Sequence, residues 1–203
     1  MEATCWSDYL CPWCYVGQDR SAQMEALGLA VVHRPYELHP EIPAEGRPIR
    51  ADGRLAPTFA RIAAECERIG LPFRAPTRMP NTRLALEAAE WVRVHHPAAA
   101  GAVHAGLFAA HFAEGRAIDD PDVVDQIVVD AGVAVADLHC AIERGDATAL
   151  VDASMVEARS AGVSSTPTWV LDDGFTIPGA LDRATLDRWI TKIVARSSSS
   201  PTT

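Results

Sequence analysis

Apolar and polar positions change rhythm twice along this chain. At the start, residues 3–8 (ATCWSD) alternate small and bulky side chains and stop at Asp8, the pattern of a short buried strand. Pro12 lacks an N–H and has its φ preset, so it fits the first turn of a helix that the spacing carries to Leu27 and Gly28 closes. Residues 29–38 (LAVVHRPYEL) read as a second strand, broken by a Pro-rich loop, which completes one βαβ unit. From Leu55 to Gly162 alternation gives way to helical spacing. Leu84, Ala88, Trp91 and His95 share a face behind an Asn81 or Thr82 cap, and Val103, Leu107 and Ala110 line the next helix up to Gly115. Asp120 and Pro121 open a helix carrying Val124, Ile127, Val128 and Ala131 to Gly132, and two more end at Gly145 and Gly162. Strand signals return at 168–171 and 175–177 around the turn Asp172-Asp173-Gly174. A last helix behind Asp182 sets Leu186, Trp189, Ile190 and Ile193 on one stripe, and residues 197–203 read as a disordered tail.

This order predicts an α/β, thioredoxin-like fold with an inserted all-helical domain. Residues 1–54 form the first part of the thioredoxin-like domain, 55–162 the insertion and 163–196 the second part. A length of 203 residues suits one domain with an insertion, and 48% hydrophobic with 22% charged residues is an ordinary globular balance.

The net charge of −9, from 27 acidic and 18 basic residues with scattered arginines, repels a phosphate backbone, so nucleic acid is excluded as a partner. No apolar run approaches the roughly 20 residues that cross a bilayer, which excludes a membrane partner. The start MEATCWSDYL has neither the basic nor the apolar region of a secretory signal, so a cytoplasmic location is expected. In that reducing compartment five cysteines at irregular spacing are no disulfide scaffold, and Cys-Cys chemistry should be transient.

The candidate chemistry lies at Cys11-Pro12-Trp13-Cys14. A C-x-x-C beside a βαβ pattern is a redox signature, and thiol-disulfide exchange needs a thiolate. The first turn of a helix presents unpaired N–H groups and a positive dipole end, so Cys11 is the expected low-pKa nucleophile. Cys14, one turn deeper, is the expected resolving thiol. Pro12 and Trp13 tune the pair without a titratable group; Trp13 is also a candidate substrate contact. Far along the chain, Pro167 precedes a strand and pushes Thr166 toward extended geometry. If that bond is cis, the loop bends back and offers the Thr166 backbone to a substrate strand beside Cys11.

These segments resemble the FrnE-like branch of the DsbA-family thioredoxin-fold disulfide oxidoreductases. WSDYLCPWCYVGQDR is similar to its active-site segment, RPYELHPEIPAEG to its second strand and loop, PNTRLALEAAEW and LFAAHFAEGRAIDDPDVV to its helical insertion, and GVSSTPTWV to its cis-proline loop. The resemblance implies disulfide oxidoreductase activity, Cys11 and Cys14 as the redox pair and Pro167 as the cis-proline. It also suggests that Asn81 lines the cleft, where a helix-cap role would otherwise suffice. One position departs: many thioredoxin-fold proteins carry a buried carboxylate six residues before the first cysteine, where this chain has Cys5. Proton transfer to the resolving thiol is then expected to use water or another group, or to be slow; Asp8, three residues before Cys11, is a candidate to help, with ending the strand and capping the turn as its first expected role.

Other readings compete. Inert thiols or a zinc site are the bland alternatives for the cysteine pair, but no second C-x-x-C or H-x₃₋₅-H supplies further ligands, so no metal is expected. Cys66 and Cys140 read as core residues. His39 is a candidate to approach Cys11 or a plain surface histidine; Trp6, Trp91, Trp169 and Trp189 read as core. The expected activity is thiol-disulfide oxidoreductase or disulfide isomerase, on a thiol- or disulfide-containing protein or small molecule. No organic cofactor is required, and glutathione is a candidate redox co-substrate. The alternatives are a glutathione-dependent isomerase or transferase, whose relatives usually carry Ser at the Cys11 position, and a non-catalytic cleft-binding module.

Overall fold

A computed structural model describes residues 1–50 and 53–198. Its central sheet has the order β2-β1-β5-β6, built from Glu2–Ser7 (β1), Ala30–Pro35 (β2), Thr168–Leu171 (β5) and Thr176–Pro178 (β6). β1 and β2 are parallel, with Cys5 opposite His33, and joined by the helix Pro12–Ala26 (α1). β1 and β5 are antiparallel, with Cys5 opposite Trp169, and β5 turns into β6 through Gly174 at φ 82°. As a central strand, β1 is covered on both faces. Ala3 and Cys5 pack with Met24, Trp169, Leu186 and Ile190 under α1 and the last helix, Arg183–Ser198 (α8), while Trp6 packs with Ala158 and Val163. Thus alternation along β1 divides two cores rather than core from solvent.

Between the halves lie helices Ala56–Ile69 (α2), Arg83–His95 (α3), Pro97–Ala109 (α4), Pro121–Asp130 (α5), Val135–Glu143 (α6) and Asp146–Ser160 (α7). α4 runs on as a π-helical turn over Ala110–Glu114 and stops at Gly115, whose φ of 71° only glycine adopts without strain. The expected one-sided stripe of α3 is wrong in detail. Ala85, Leu86, Glu87, Glu90 and Val92 are buried beside Ala88 and Trp91, while His95 is exposed, because α4, α5, α6 and α7 all pack around this helix. Its buried carboxylates are paired: Glu90 with Arg34 and Arg93, and Glu87 with Arg83, which also reaches Glu37 and Asp152.

Three further differences from the sequence expectation are local. A two-stranded ribbon, Arg47–Pro48 (β3) against Arg78–Met79 (β4), ties the Pro-rich loop down before α3, and two residues per strand carry no periodicity to detect. Trp189 is 38% exposed, packed edge-on against Phe175 over the sheet margin rather than inside the core. α8 runs on through Ser198, past the expected end at 196; residues 199–203 of the expected tail and 51–52 of the loop lie outside the described residues. Among the described residues, no helix is long and apolar enough to cross a membrane.

Candidate active site

Cys11 is the N-cap of α1, in extended conformation at φ −83° and ψ 112°, with Pro12 at the first helical position. Its N–H donates to the Asp8 carbonyl at 3.0 Å, and its own carbonyl accepts from the N–H of Cys14 at 3.0 Å. Strand, tight turn and helix start therefore hold the two cysteines together. Both belong to the core cluster that includes Tyr9, Tyr15, Ile62, Leu86 and Phe108; Cys11 keeps 7% of its surface exposed and Cys14 3%. All five cysteines are free thiols.

Two opposed shifts distinguish the pair. The Cys11 pKa is lowered, chiefly because the Cys14 thiol hydrogen-bonds to its sulfur, against the opposing effect of burial; Thr166 and the Cys14 N–H lower it further, and Asp8 raises it. Cys14 is pushed well up by burial and by acting as that donor. Helix amides therefore contribute to the anion, but the partner thiol contributes more than the helix start that the sequence points to.

The Thr166-Pro167 peptide is cis, and Cys11 Sγ donates to the Thr166 carbonyl at 3.6 Å. The Thr166 hydroxyl makes no hydrogen bond among the described residues, so it is free to turn toward a thiolate on either cysteine. The approach of the two loops depends on Gly17, which the sequence reading passed over. A Cβ there would lie 3.3 Å from Pro167 Cγ and 3.4 Å from the Trp169 ring. A glycine at the third residue after Cys14 on α1 was the available signal.

The remaining candidates fall in different places. Trp13 is half-buried beside the dithiol, and the Arg61 guanidinium lies over its ring at 5.6 Å. His39 is exposed and bonds Glu41 through Nδ1 at 3.1 Å, and it makes no hydrogen bond to Cys11 among the described residues. Asn81 is committed to the backbone: Nδ2 donates to the Ile42 carbonyl at 2.6 Å and Oδ1 accepts from the Arg83 N–H at 2.9 Å. It clamps the Pro-rich loop to the start of α3, where Thr82 is the cap residue.

Asp8 is more than a turn cap. It is fully buried, accepts from the N–H of Leu38 at 2.7 Å and of Leu10 at 3.3 Å, and burial raises its pKa from 3.8 to about 6 despite those bonds. The buried carboxyl of this region is therefore Asp8, while Cys5, 2% exposed, is pushed far above the ordinary thiol range by burial. Cys66 is fully buried as expected, but Cys140 is exposed on α6, so the core reading fails for it and the two thiols share no environment. Among the described residues, no group of three or more His, Cys, Asp or Glu is placed to hold a metal ion. A cavity of about 470 Å³, lined by Tyr9, His33, Glu90, Arg93 and His104 among others, does not include the dithiol.

Residues 3–191 match the family model described as the DSBA-like thioredoxin domain. The chain belongs to this family. Solved structures agree in fold. A probable DsbA oxidoreductase from Streptomyces coelicolor is 24% identical with a TM-score of 0.83, covering 100% of this chain and 93% of that one. A 2-hydroxychromene-2-carboxylate isomerase is 18% identical at TM-score 0.81, with both chains fully covered. The cytosolic disulfide reductase DsbM from Pseudomonas aeruginosa, solved with GSH, is 20% identical at TM-score 0.71, covering 98% of this chain and 100% of that one. The DsbA-like thioredoxin fold thus accommodates α2–α7 between the strands β2 and β5 of this chain.

Proposed function

We propose that this protein is a cytoplasmic thiol-disulfide oxidoreductase or disulfide isomerase of the FrnE-like branch, with Cys11 as nucleophile and Cys14 as resolving thiol. The observation that carries this reading is the pair of free thiols at the start of α1, Cys11 lowered and Cys14 raised, with Cys11 Sγ 3.6 Å from the carbonyl of the cis Thr166-Pro167 turn. The Cys11 thiolate attacks one sulfur of a substrate disulfide, forms a mixed disulfide and expels the first substrate thiolate. Cys14 then loses its proton and attacks Cys11 Sγ, forming the Cys11–Cys14 disulfide and releasing the second thiolate. Two electrons have passed from the protein dithiol to the substrate, and the reverse sequence oxidises a substrate dithiol. Thr166 and Pro167 present the substrate; Trp13 flanks it.

Glutathione is the proposed redox co-substrate, supported by the GSH-containing DsbM structure. The isomerase of the same fold favours a second reading, a glutathione-dependent isomerase or transferase. A second thiol one helical turn from the first is superfluous in that chemistry. The test is exchange with glutathione disulfide and with an unfolded disulfide-bonded protein. Cys11→Ser should abolish exchange and Cys14→Ser should accumulate mixed disulfides seen by mass spectrometry. Turnover retained in Cys11→Ser would remove the proposal. Turnover of an electrophile with glutathione but of no disulfide would favour the second reading, and neither activity a binding module.

A further inference from the structure

The mouth of the dithiol site carries a cation with no carboxylate partner. Arg61, exposed on α2, stacks over the Trp13 ring with its guanidinium carbon 5.6 Å from the centroid, and it makes no ion pair among the described residues. Four other arginines of the same stretch are committed, Arg47 to Glu41, Arg68 to Glu65, Arg78 to Asp119 and Arg83 to Glu37, while Arg50, Arg54 and Arg74 share with Arg61 the lack of an ion pair among the described residues, and Arg61 alone of these is held on the Trp13 ring. The stretch itself reverses the sign of the protein. Between Arg47 and Arg83 lie eight of the chain's 18 basic residues and three of its 27 acidic ones, in a molecule of net charge −9.

Resting on the oxidoreductase reading, we infer that Arg61, held on Trp13, selects disulfides that carry a carboxylate near the reacting sulfur, so the preferred substrates are small acidic disulfides or acidic cysteine peptides. Three facts lead there. Trp13 is separated from Cys11 by a single residue, so a guanidinium held on its ring is tethered to the same first turn of α1 as the attacking sulfur. The stack fixes the long arginine side chain before substrate arrives, so less rotamer freedom is lost on binding. Guanidinium N–H groups also match a carboxylate fork in geometry, which an acidic protein surface would otherwise repel. Arg61 is a specificity residue in this scheme, outside the electron transfer.

The experiment is a single-turnover reaction of the fully reduced full-length protein with three disulfides: glutathione disulfide (anionic), bis(2-hydroxyethyl) disulfide (neutral) and cystamine (cationic). Loss of the Cys11–Cys14 dithiol is followed by mass spectrometry. The readout is the ratio of second-order rate constants, anionic to neutral and anionic to cationic, which cancels intrinsic differences between proteins. Arg61→Gln should lower the anionic-to-neutral ratio roughly threefold to fivefold, as expected for one partly exposed ion pair. Arg61→Glu should lower it further and favour cystamine, and Arg61→Lys should keep most of the wild-type ratio. The gap between wild type and Arg61→Gln should narrow as salt rises. Arg159→Gln, which removes the same charge from an exposed site on α7, is the control for net charge. Equal ratios in wild type, Arg61→Gln and Arg61→Glu, or an equal drop in Arg159→Gln, would overturn the inference while leaving the oxidoreductase reading intact. If reduced wild-type protein reacts with none of the three disulfides, the oxidoreductase reading itself fails.

Discussion

Replacing Cys14 by Ala should make Cys11 a weaker nucleophile at low pH and a stronger one at high pH. In the structure the Cys14 thiol is the leading stabiliser of the Cys11 anion, ahead of the helix N–H groups, and Cys11 and Cys14 are 7% and 3% exposed, so water can supply little in its place. A hydrogen bond to a charged group is worth about 1.5–3 kcal/mol, which corresponds to roughly a ten- to hundredfold loss of thiolate wherever both proteins are mostly protonated. A more basic thiolate is intrinsically more nucleophilic, with a Brønsted coefficient near 0.4–0.5, and this restores about half of the loss on a logarithmic scale. The net expectation is a roughly four- to fifteenfold slower reaction of Cys11 at the acidic end. At pH values where Cys11 is fully ionised in both proteins, the variant should be the faster one. Iodoacetamide labelling as a function of pH, with the Cys11 peptide quantified by mass spectrometry, measures both limbs. Cys14→Ser, which keeps a hydroxyl donor, should fall between wild type and Cys14→Ala. Superimposable pH profiles for wild type and Cys14→Ala would refute the reasoning and leave the helix terminus as the source of the anion.

Other consequences can be measured separately. The folded Asp8 carboxyl at about 6, against the ordinary 3.8, holds its proton more tightly than the unfolded chain does. Its contribution to stability is therefore complete below pH 3.8 and lost as pH rises through about 6, a change of roughly 3 kcal/mol that Asp8→Asn should remove from urea unfolding curves between pH 4 and 7; an unchanged pH slope in the variant would contradict it. Gly17→Val should force Pro167 away from α1, lower stability by about 1–3 kcal/mol in thermal unfolding and slow disulfide exchange at Cys11, whereas unaltered exchange would show that the Thr166 turn can shift without cost. Cys66→Ala, at a fully buried position, should destabilise the protein by roughly 1 kcal/mol, while Cys140→Ser on the surface of α6 should stay within about 0.5 kcal/mol; equal effects in urea unfolding would mean that the burial difference is not felt.

What the sequence by itself determined are the features with short-range causes. Alternation in residues 3–8, proline at the start of α1, glycines at Gly28, Gly115, Gly132, Gly145 and Gly162, and the Asp-Gly turn before β6 each follow from local sterics and hydrogen bonding. So does the placement of Cys11 and Cys14 on one helix turn. Tertiary structure alone decided which long-range groups meet them. The Thr166 carbonyl at Cys11, Gly17 against Pro167, Arg61 on Trp13 and the Leu38 N–H on buried Asp8 join residues between 30 and 155 positions apart. His39 and Asn81 show the converse. His39 looked suited to the cleft by chain position and Asn81 by family resemblance, yet His39 is bonded to Glu41, and the Ile42 carbonyl claims the Asn81 amide. Trp189 and Cys140 belong with them, since hydrophobic residue type sets a preference for burial, whereas the packing of neighbouring elements decides whether there is anything left to cover them.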